Sequence, residues 1–124
     1  MIKSILILIF SLVTHIAFAG DGKNIASAIQ NANTNELSTY FNSSVELTTP
    51  ASSGIKTRDQ AKIILDNFFK NNIPVKATIA HETSGSSNIM IVISLVTKNG
   101  TYRITIIGTQ KVGSALVINE IKIQ

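Results

Sequence analysis

The stretch that decides the fold is residues 88–110, NIMIVISLVTKNGTYRITIIGTQ, in which apolar side chains recur at every second position on both sides of Asn99-Gly100. A period of two is typical of β-strands, and Asn-Gly between two such runs favours a two-residue type I′ turn. That turn pairs Lys98 with Thr101, which fixes the register of both strands. Residues 88–110 therefore predict a β-hairpin with one apolar face.

The same period continues on both sides of the hairpin. Further strands are predicted at residues 76–83 and 115–123, which join strands at 88–97 and 101–110 in an antiparallel meander. Successive residues of a strand point to opposite sides, so parity separates an inner face from an outer face. The predicted inner face of the hairpin carries Ile89, Ile91, Ile93, Leu95, Tyr102, Ile104, Ile106 and Gly108.

Three helices are predicted before the meander, and two of them lie close to the N-terminus of the domain. Apolar residues at i, i+3, i+4 and i+7 indicate an amphipathic helix at residues 23–31, with Asp21 as its cap. Asn33, followed three residues later by Glu36, resembles a capping box that opens a short second helix. The apolar side of this second helix carries Leu37, Tyr40 and Phe41.

A third helix has the clearest pattern in the chain. It follows a predicted strand at 45–49 and a loop at 50–56, and a second capping box, Thr57 with Gln60, marks its start. Its apolar side chains keep helical spacing, and Pro74 marks the end of this pattern. Helices followed by an antiparallel meander predict an α+β domain with the helices packed on one sheet face.

Several short motifs carry a resemblance to a known group of proteins. They are Glu36-Leu37, Tyr40-Phe41, Val45-Glu46-Leu47, Ile64-Leu65, Phe68-Phe69, His81 and Asn99-Gly100-Thr101-Tyr102-Arg103. With these motifs the chain resembles the nuclear transport factor 2-like (cystatin-like) superfamily, and more narrowly a family of short exported bacterial proteins of unknown function. The resemblance implies N-terminal helices packed on a curved antiparallel β-sheet that forms a cone. That superfamily contains isomerases, dehydratases and non-catalytic binding modules, so the fold does not choose among them.

The first residues have a different character from the rest. Lys3, a mostly apolar run at 5–16 and Ala17-Phe18-Ala19 have the layout of a signal peptide at residues 1–19. The apolar run is shorter than the roughly 20 residues that a membrane-spanning helix needs. We therefore expect cleavage before Gly20, an exported protein in the periplasm or outside the cell, no stable membrane anchor, and a single domain at residues 20–124.

Composition excludes several functional classes. The chain has 44% apolar and 15% charged residues, which excludes a disordered protein, and it has no cysteine for a disulfide framework, a thiolate metal site or thiol redox chemistry. The net charge of +4 comes from scattered Lys and Arg rather than from a basic cluster with aromatic residues, so nucleic acid is not an expected partner.

Two polar side chains interrupt the predicted inner face, and they are the candidate site residues. Parity places His81 and Asn119 there, bordered by Tyr40, Phe68 and Tyr102. His81 would exchange a proton and Asn119 would bond a ligand. Alternatively, His81 is a structural residue near a strand end and Asn119 bonds a backbone group at a bulge.

The carboxylates favour a protein without catalytic residues. Glu46, Glu82 and Glu120 have outward parity, and Asp66 is the one acid expected to approach a pocket rim. An isolated His81 lacks the further ligands that a metal site needs. No cofactor, metal or catalytic residue is therefore predicted.

The outer face of the sheet is too apolar for a monomer. Polar residues surround an apolar centre, a distribution typical of an interface. We expect a two-fold homodimer that buries about 800 Å² per partner; alternatively, the N-terminal segment or the loop at 50–56 covers part of this face. The candidate interface residues are Met90, Val92, Val96, Ile107, Leu116 and Ile118.

Three functions remain open at this stage. The first is an exported, non-catalytic binding or interaction module for a small apolar ligand or a protein partner. The second is a small isomerase- or dehydratase-like enzyme that uses His81 in its pocket. The third is a structural homodimer with a filled core. Whether the space between helices and sheet is open or packed discriminates among them.

Overall fold

The structure is a computed structural model that describes residues 20–124, so the predicted signal peptide lies outside the described residues. The helices are α1 (Gly20–Gln30), α2 (Thr34–Ser38) and α3 (Arg58–Asn71). None of the helices in this part of the chain is long and apolar enough to cross a membrane. The strands are β1 (Phe41–Thr48), β2 (Ser53–Thr57), β3 (Pro74–Ser84), β4 (Asn88–Thr97), β5 (Gly100–Thr109) and β6 (Val117–Ile123).

The helix starts follow the local signals in the sequence. The side chain of Asn33 accepts from the N–H of Glu36 at 3.1 Å before α2. Before α3, Thr57 accepts from the N–H of Gln60 at 3.2 Å while the Gln60 side chain accepts from the N–H of Thr57 at 3.1 Å. The predicted capping box is thus confirmed, and it satisfies N–H groups that a helix start leaves without partners.

The sheet has the strand order β2-β1-β6-β5-β4-β3. Its pairs are antiparallel except that β1 runs parallel to β6. The α+β class and the curved sheet are confirmed. The sheet is mixed rather than antiparallel, because β1 joins the edge of the meander at β6 and runs parallel to that strand. Phe41, predicted on the second helix, begins β1, and the predicted loop at 50–56 contains most of β2, which pairs with β1.

The hairpin turn lies one residue earlier than predicted. Thr97 pairs with Gly100, so Lys98 and Asn99 form the turn and Lys98 does not pair with Thr101. The Thr97 hydroxyl donates to the carbonyl of Gly100 at 2.8 Å, and the N–H of Lys98 donates to Ile73 at 3.0 Å. The pairing moves by an even number of residues, so the inner face keeps its predicted membership.

A β-bulge in β3 overturns the prediction for His81. Ile79 pairs with Ile93, but His81 pairs with Val92, so Ala80 is an extra residue. One extra residue reverses the parity of everything beyond it. His81 consequently shares a sheet face with Val92 and is exposed, whereas Glu82, predicted outward, pairs with Ile91 and lies against α1.

A second bulge overturns the predictions for the last strand. Ile107 pairs with Glu120 and Gly108 with Ile118, which leaves Asn119 as the extra residue. Ile118 therefore faces inward with 0% exposure, and Leu116 belongs to the core with 2% exposure, although outward positions were predicted for both. A Cβ at Gly108 would clash with the backbone carbonyl of the facing strand, so glycine permits this close approach.

The space between the helices and the sheet is filled by side chains. One continuous hydrophobic core joins α1, α2 and α3 to the inner face of β1 and of β4–β6. Packing of this kind leaves no deep substrate chamber among the described residues. The largest fully buried side chains are Ile25, Ile29, Leu37, Leu47, Leu65, Ile91, Ile93, Leu95, Ile104, Ile106, Ile118 and Ile121.

Candidate functional site

A cavity of about 270 Å³ opens at the edge of the core, between α3, the turn that joins β1 to β2, and Tyr102 on β5. We call it the α3 cavity. The turn contributes residues 49–52. The second half of α3 and the residue that follows it contribute Ile64, Asn67, Phe68, Asn71 and Asn72.

One face of α3 forms the main wall of this cavity. Ile64, Asn67, Phe68 and Asn71 have the spacing i, i+3, i+4 and i+7, so they lie along one side of the helix. The adjacent row enters the core, where Leu65 is 1% exposed. Two exposed carboxamides, Asn67 and Asn71, therefore stand at the rim of the cavity beside the half-buried Ile64 and Phe68. Neither side chain is hydrogen-bonded to another described residue; Asn71 is bonded through its main-chain carbonyl.

The remaining wall is held by aromatic contacts and by the Asn72 amide, which is hydrogen-bonded through both its oxygen and its nitrogen. The Phe68 and Tyr102 ring centroids are 5.1 Å apart in an edge-to-face arrangement. The Tyr102 hydroxyl donates to Oδ1 of Asn72 at 2.9 Å, and Nδ2 of Asn72 donates to the carbonyl of Phe68 at 3.0 Å. Asn72 thus fixes Tyr102 against α3, while Asn67 and Asn71 remain available to a ligand.

The lining of the α3 cavity is uncharged. Among the described residues that form it there is no Asp, Glu, Lys, Arg or His. The Thr49 hydroxyl accepts from the N–H groups of Ala51 at 3.3 Å and Ser52 at 3.2 Å, so it is used within the turn. Such a lining can donate and accept hydrogen bonds, but it holds no acid–base pair to transfer a proton.

The α3 cavity contains two of the five predicted pocket residues, Phe68 and Tyr102, and a second depression, described below, contains His81 together with Tyr102. Tyr40 lies elsewhere, half-buried against the core near α1. Burial raises the pKa of the Tyr40 phenol, and the carboxylates of Asp21 and, more weakly, Glu36 raise it further, while a hydrogen bond from Asn24 opposes them. Tyr40 is a packing residue and does not line the α3 cavity.

The other two predicted pocket residues have different roles. His81 is exposed on the outer face, as the bulge at Ala80 requires. Oδ1 of Asn119 accepts from the side chain of Asn42 at 3.0 Å, which ties β6 to β1. The prediction that His81 and Asn119 share an inner pocket is therefore wrong, because each lies in or next to a bulge.

Asp66 does not reach a pocket either. It accepts a hydrogen bond from the hydroxyl of Thr34, and its other oxygen lies 3.3 Å from Nζ of Lys62. This carboxylate therefore joins α2 to α3. Within residues 20–124 no group of three or more His, Asp or Glu side chains is placed to hold a metal ion.

The outer face of the sheet forms a second candidate surface. Met90 lies beside Ile107, which is 38% exposed, and Val96 is 40% exposed, whereas Val92 is only 5% exposed. We call Met90, Val92, Val96 and Ile107 the outer-face patch. A depression of about 470 Å³ adjoins it, and its lining includes His81, Val92, Ser94, Thr101 and Arg103.

Sequence reasoning missed Asn67 and Asn71. A signal for them exists, because both fall on the same helical row as Ile64 and Phe68, so an apolar row carries two amides. What the sequence does not supply is the opposite wall. That wall comes from Tyr102 and from the turn at 49–52, which are distant along the chain.

Comparison with known proteins places this geometry in a family. The model described as "Domain of unknown function (DUF4783)" matches residues 22–124. A DUF4783 family protein from Bacteroides fragilis is 28% identical, with a TM-score of 0.73 over 81% of this chain and 93% of its own. A DUF4783 family protein from Bacteroides uniformis is 22% identical, with a TM-score of 0.76 over 82% and 94%.

A more distant structure has the same architecture. A polyketide cyclase-like protein from Sinorhizobium meliloti is 16% identical, with a TM-score of 0.63 over 86% of this chain and 95% of its own. No curated protein matches the chain in sequence. These comparisons confirm the nuclear transport factor 2-like fold expected from the sequence. Because the family model spans nearly all of the described residues, the chain belongs to the DUF4783 family, a domain of unknown function.

Proposed function

We propose that this domain is a non-catalytic binding module whose ligand site is the α3 cavity. The observation that carries the proposal is the pair of amides, Asn67 and Asn71, which line the cavity without a hydrogen bond to another described residue. Both amides are exposed beside the half-buried rings of Phe68 and Tyr102, where they can serve as the few polar groups that orient a ligand against apolar contacts.

The positions of the titratable residues support binding over catalysis. An isomerase- or dehydratase-like mechanism needs an acid or base facing the substrate. Asp66 bonds Thr34, and His81 lies on the outer face. The enzyme alternative would therefore require a substrate on the outer face of the sheet, away from the α3 cavity.

Chemical-shift mapping tests the proposal. A library of neutral, soluble small molecules is added to ¹⁵N-labelled protein, and both backbone and side-chain amide signals are recorded. Binders should move the side-chain signals of Asn67 and Asn71 together with the backbone signals of residues 49–52. Binders that instead cluster around His81 and Arg103, or turnover that disappears in His81→Ala, would contradict it.

We also propose that the domain is exported after cleavage before Gly20. The proposal rests on Lys3, the short apolar run and Ala17-Phe18-Ala19. Mass spectrometry of the protein from its native host should find Gly20 at the N-terminus. A mature protein that retains residues 1–19 would contradict export by this route.

A homodimer through the outer-face patch is a second proposal, and it is compatible with the first. Its support is Ile107, which is 38% exposed beside the half-buried Met90, and Val96, which is 40% exposed on the same sheet face. Charges are divided across the same face, because Glu120 flanks Ile107 on β6 while Arg103 lies opposite Ser94 on β4. A two-fold interface is self-complementary, so an apolar centre with both signs of charge at its margins suits a second copy of the chain.

A further inference from the structure

We infer that the α3 cavity binds an extended, uncharged peptide segment by its main chain, an inference that rests on the proposed function of this cavity. Asn67 and Asn71 are four residues apart on one helix, which corresponds to a rise of about 6 Å. An extended peptide repeats every second residue, at about 6.6 Å. The two amides can therefore bond two successive peptide groups on the same edge of a strand.

The chemistry of the two side chains matches that of a main chain. A carboxamide presents one acceptor and two donors, so it can accept from a peptide N–H and donate to a peptide C=O at once. The cavity lining holds no charged side chain among the described residues, so an ionic group would lose hydration without gaining a counterion. An uncharged main chain has no such cost.

The side chains that bond the peptide lie on α3 rather than on the opposite wall of the cavity, which is the turn at 49–52. In the turn at 49–52, the N–H of Thr49 donates to the carbonyl of Ser52 at 2.8 Å, and the N–H groups of Ala51 and Ser52 donate to the Thr49 hydroxyl. These donors are already used inside the turn. The turn at 49–52 therefore limits the space for a ligand without donating hydrogen bonds to it, and Asn67 and Asn71 are the groups that bond the ligand.

The size of the cavity favours part of a chain over a whole small molecule. At about 270 Å³ it is slightly smaller than pockets for drug-sized ligands, which occupy roughly 300–1,000 Å³. Space of this size holds one or two side chains of a peptide, with Ile64 and Phe68 on the same helix face as their apolar contacts. The rest of the peptide would continue into solvent at both ends.

The test uses the capped hexapeptide acetyl-Ser-Val-Ser-Val-Ser-Val-amide and its fully N-methylated analogue, titrated into ¹⁵N-labelled protein. The parent peptide should move the side-chain amide signals of Asn67 and Asn71 at millimolar concentration. The N-methylated analogue should bind several-fold more weakly, because it keeps its C=O acceptors but has no N–H to donate. Asn67→Leu and Asn71→Leu should each weaken binding by roughly fivefold to a hundredfold, the effect of two hydrogen bonds.

Lys70→Ala is the matched control, since Lys70 lies on the same turn of α3 but does not line the cavity. It should bind the peptide like the wild type, and unchanged backbone spectra show that each variant is folded. Equal binding of the N-methylated peptide, or no response to the parent peptide, would overturn the inference. If maltose or another neutral compound moves the Asn67 and Asn71 signals where the peptide does not, the peptide inference fails while the proposed binding site stands.

Discussion

Oδ2 of Asp21 accepts a hydrogen bond from the main-chain N–H of Leu116 at 2.9 Å, so the first turn of α1 is tied to the connection between β5 and β6. The same oxygen accepts from the side chain of Gln110 at 3.2 Å. This one carboxylate therefore positions the segment that brings Leu116 into the core.

Replacement of Asp21 should destabilise the domain. Asp21→Ala leaves the N–H of Leu116 without its partner, and a hydrogen bond to a charged group contributes about 1.5–3 kcal/mol. Urea unfolding should show a loss of that size. Asp59→Ala is the control, because Asp59 is also in the first turn of a helix and its dipole contribution there is about 0.3–1 kcal/mol. Equal losses in both variants would contradict a tertiary role for Asp21.

Two glycines should respond to alanine in opposite ways. At Gly108 a new Cβ meets the backbone of Val117, which cannot move without breaking the β5–β6 pairing, so Gly108→Ala should cost about 1–3 kcal/mol. At Gly22 the Cβ meets only the Glu82 carboxylate, at 2.8 Å, and this flexible side chain can turn away. Gly22→Ala should be neutral or stabilising by up to about 1 kcal/mol, because alanine favours a helix. Thermal unfolding of the pair that shows equal losses would contradict the close approach at Gly108.

Tyr40 should make the domain sensitive to alkaline pH. Because its folded-state pKa is raised, the folded protein keeps the phenol proton at pH values where the unfolded chain has lost it. Tyr40 therefore contributes stability below the ordinary tyrosine pKa of about 10, and this contribution is lost as the pH rises through the higher folded pKa.

The check compares unfolding free energies of wild type and Tyr40→Phe from neutral pH to above the ordinary tyrosine pKa. The difference between the two proteins should change in the alkaline range, with the wild type losing more stability. Tyr102→Phe is the control, because it removes the phenol of the other tyrosine in the chain. A wild type and a Tyr40→Phe variant with the same alkaline slope would contradict the assigned burial of the phenol.

The outer-face patch should control the oligomeric state. Ile107→Lys with Val96→Lys places two charges in the proposed interface, and light scattering should change from a dimer to a folded monomer. Ile63→Lys is the control, because Ile63 is 59% exposed on α3, away from the sheet face. A wild type that is monomeric at high micromolar concentration would refute the interface.

Local signals in the sequence predicted local structure well. The N-cap at Asn33, the capping box at Thr57 and the inner face of the hairpin follow from neighbouring residues alone, and the structure contains all three; at Asn33 the Glu36 side chain accepts from the Asn33 side chain, so the full capping box predicted there does not form. Parity fails at Ala80 and Asn119, because a bulge depends on how two strands fit together. At Asn119 the sequence carries a mark of the bulge, since the apolar positions change from 116 and 118 to 121 and 123, whereas the polar residues after Ala80 carry none. These two residues account for the wrong placements of His81 and Ile118.

The candidate site was only half predictable for a similar reason. Phe68 and Tyr102 were expected at a pocket because both are aromatic and border the inner face. The roles of Asn67 and Asn71 depend on which wall faces α3, and that wall is set by the pairing of β2 with β1. Residues 50–56 have a loop signature, and nothing in that signature indicates which helix the loop will face.

The affinity of the double variant Asn67→Leu, Asn71→Leu for the tightest neutral ligand of the wild-type protein tests the central claim most directly. Two lost hydrogen bonds predict a dissociation constant raised by about tenfold or more, while Lys70→Ala keeps the wild-type value. A double variant that is folded and binds that ligand as tightly as the wild type would contradict the α3 cavity as the ligand site of this domain.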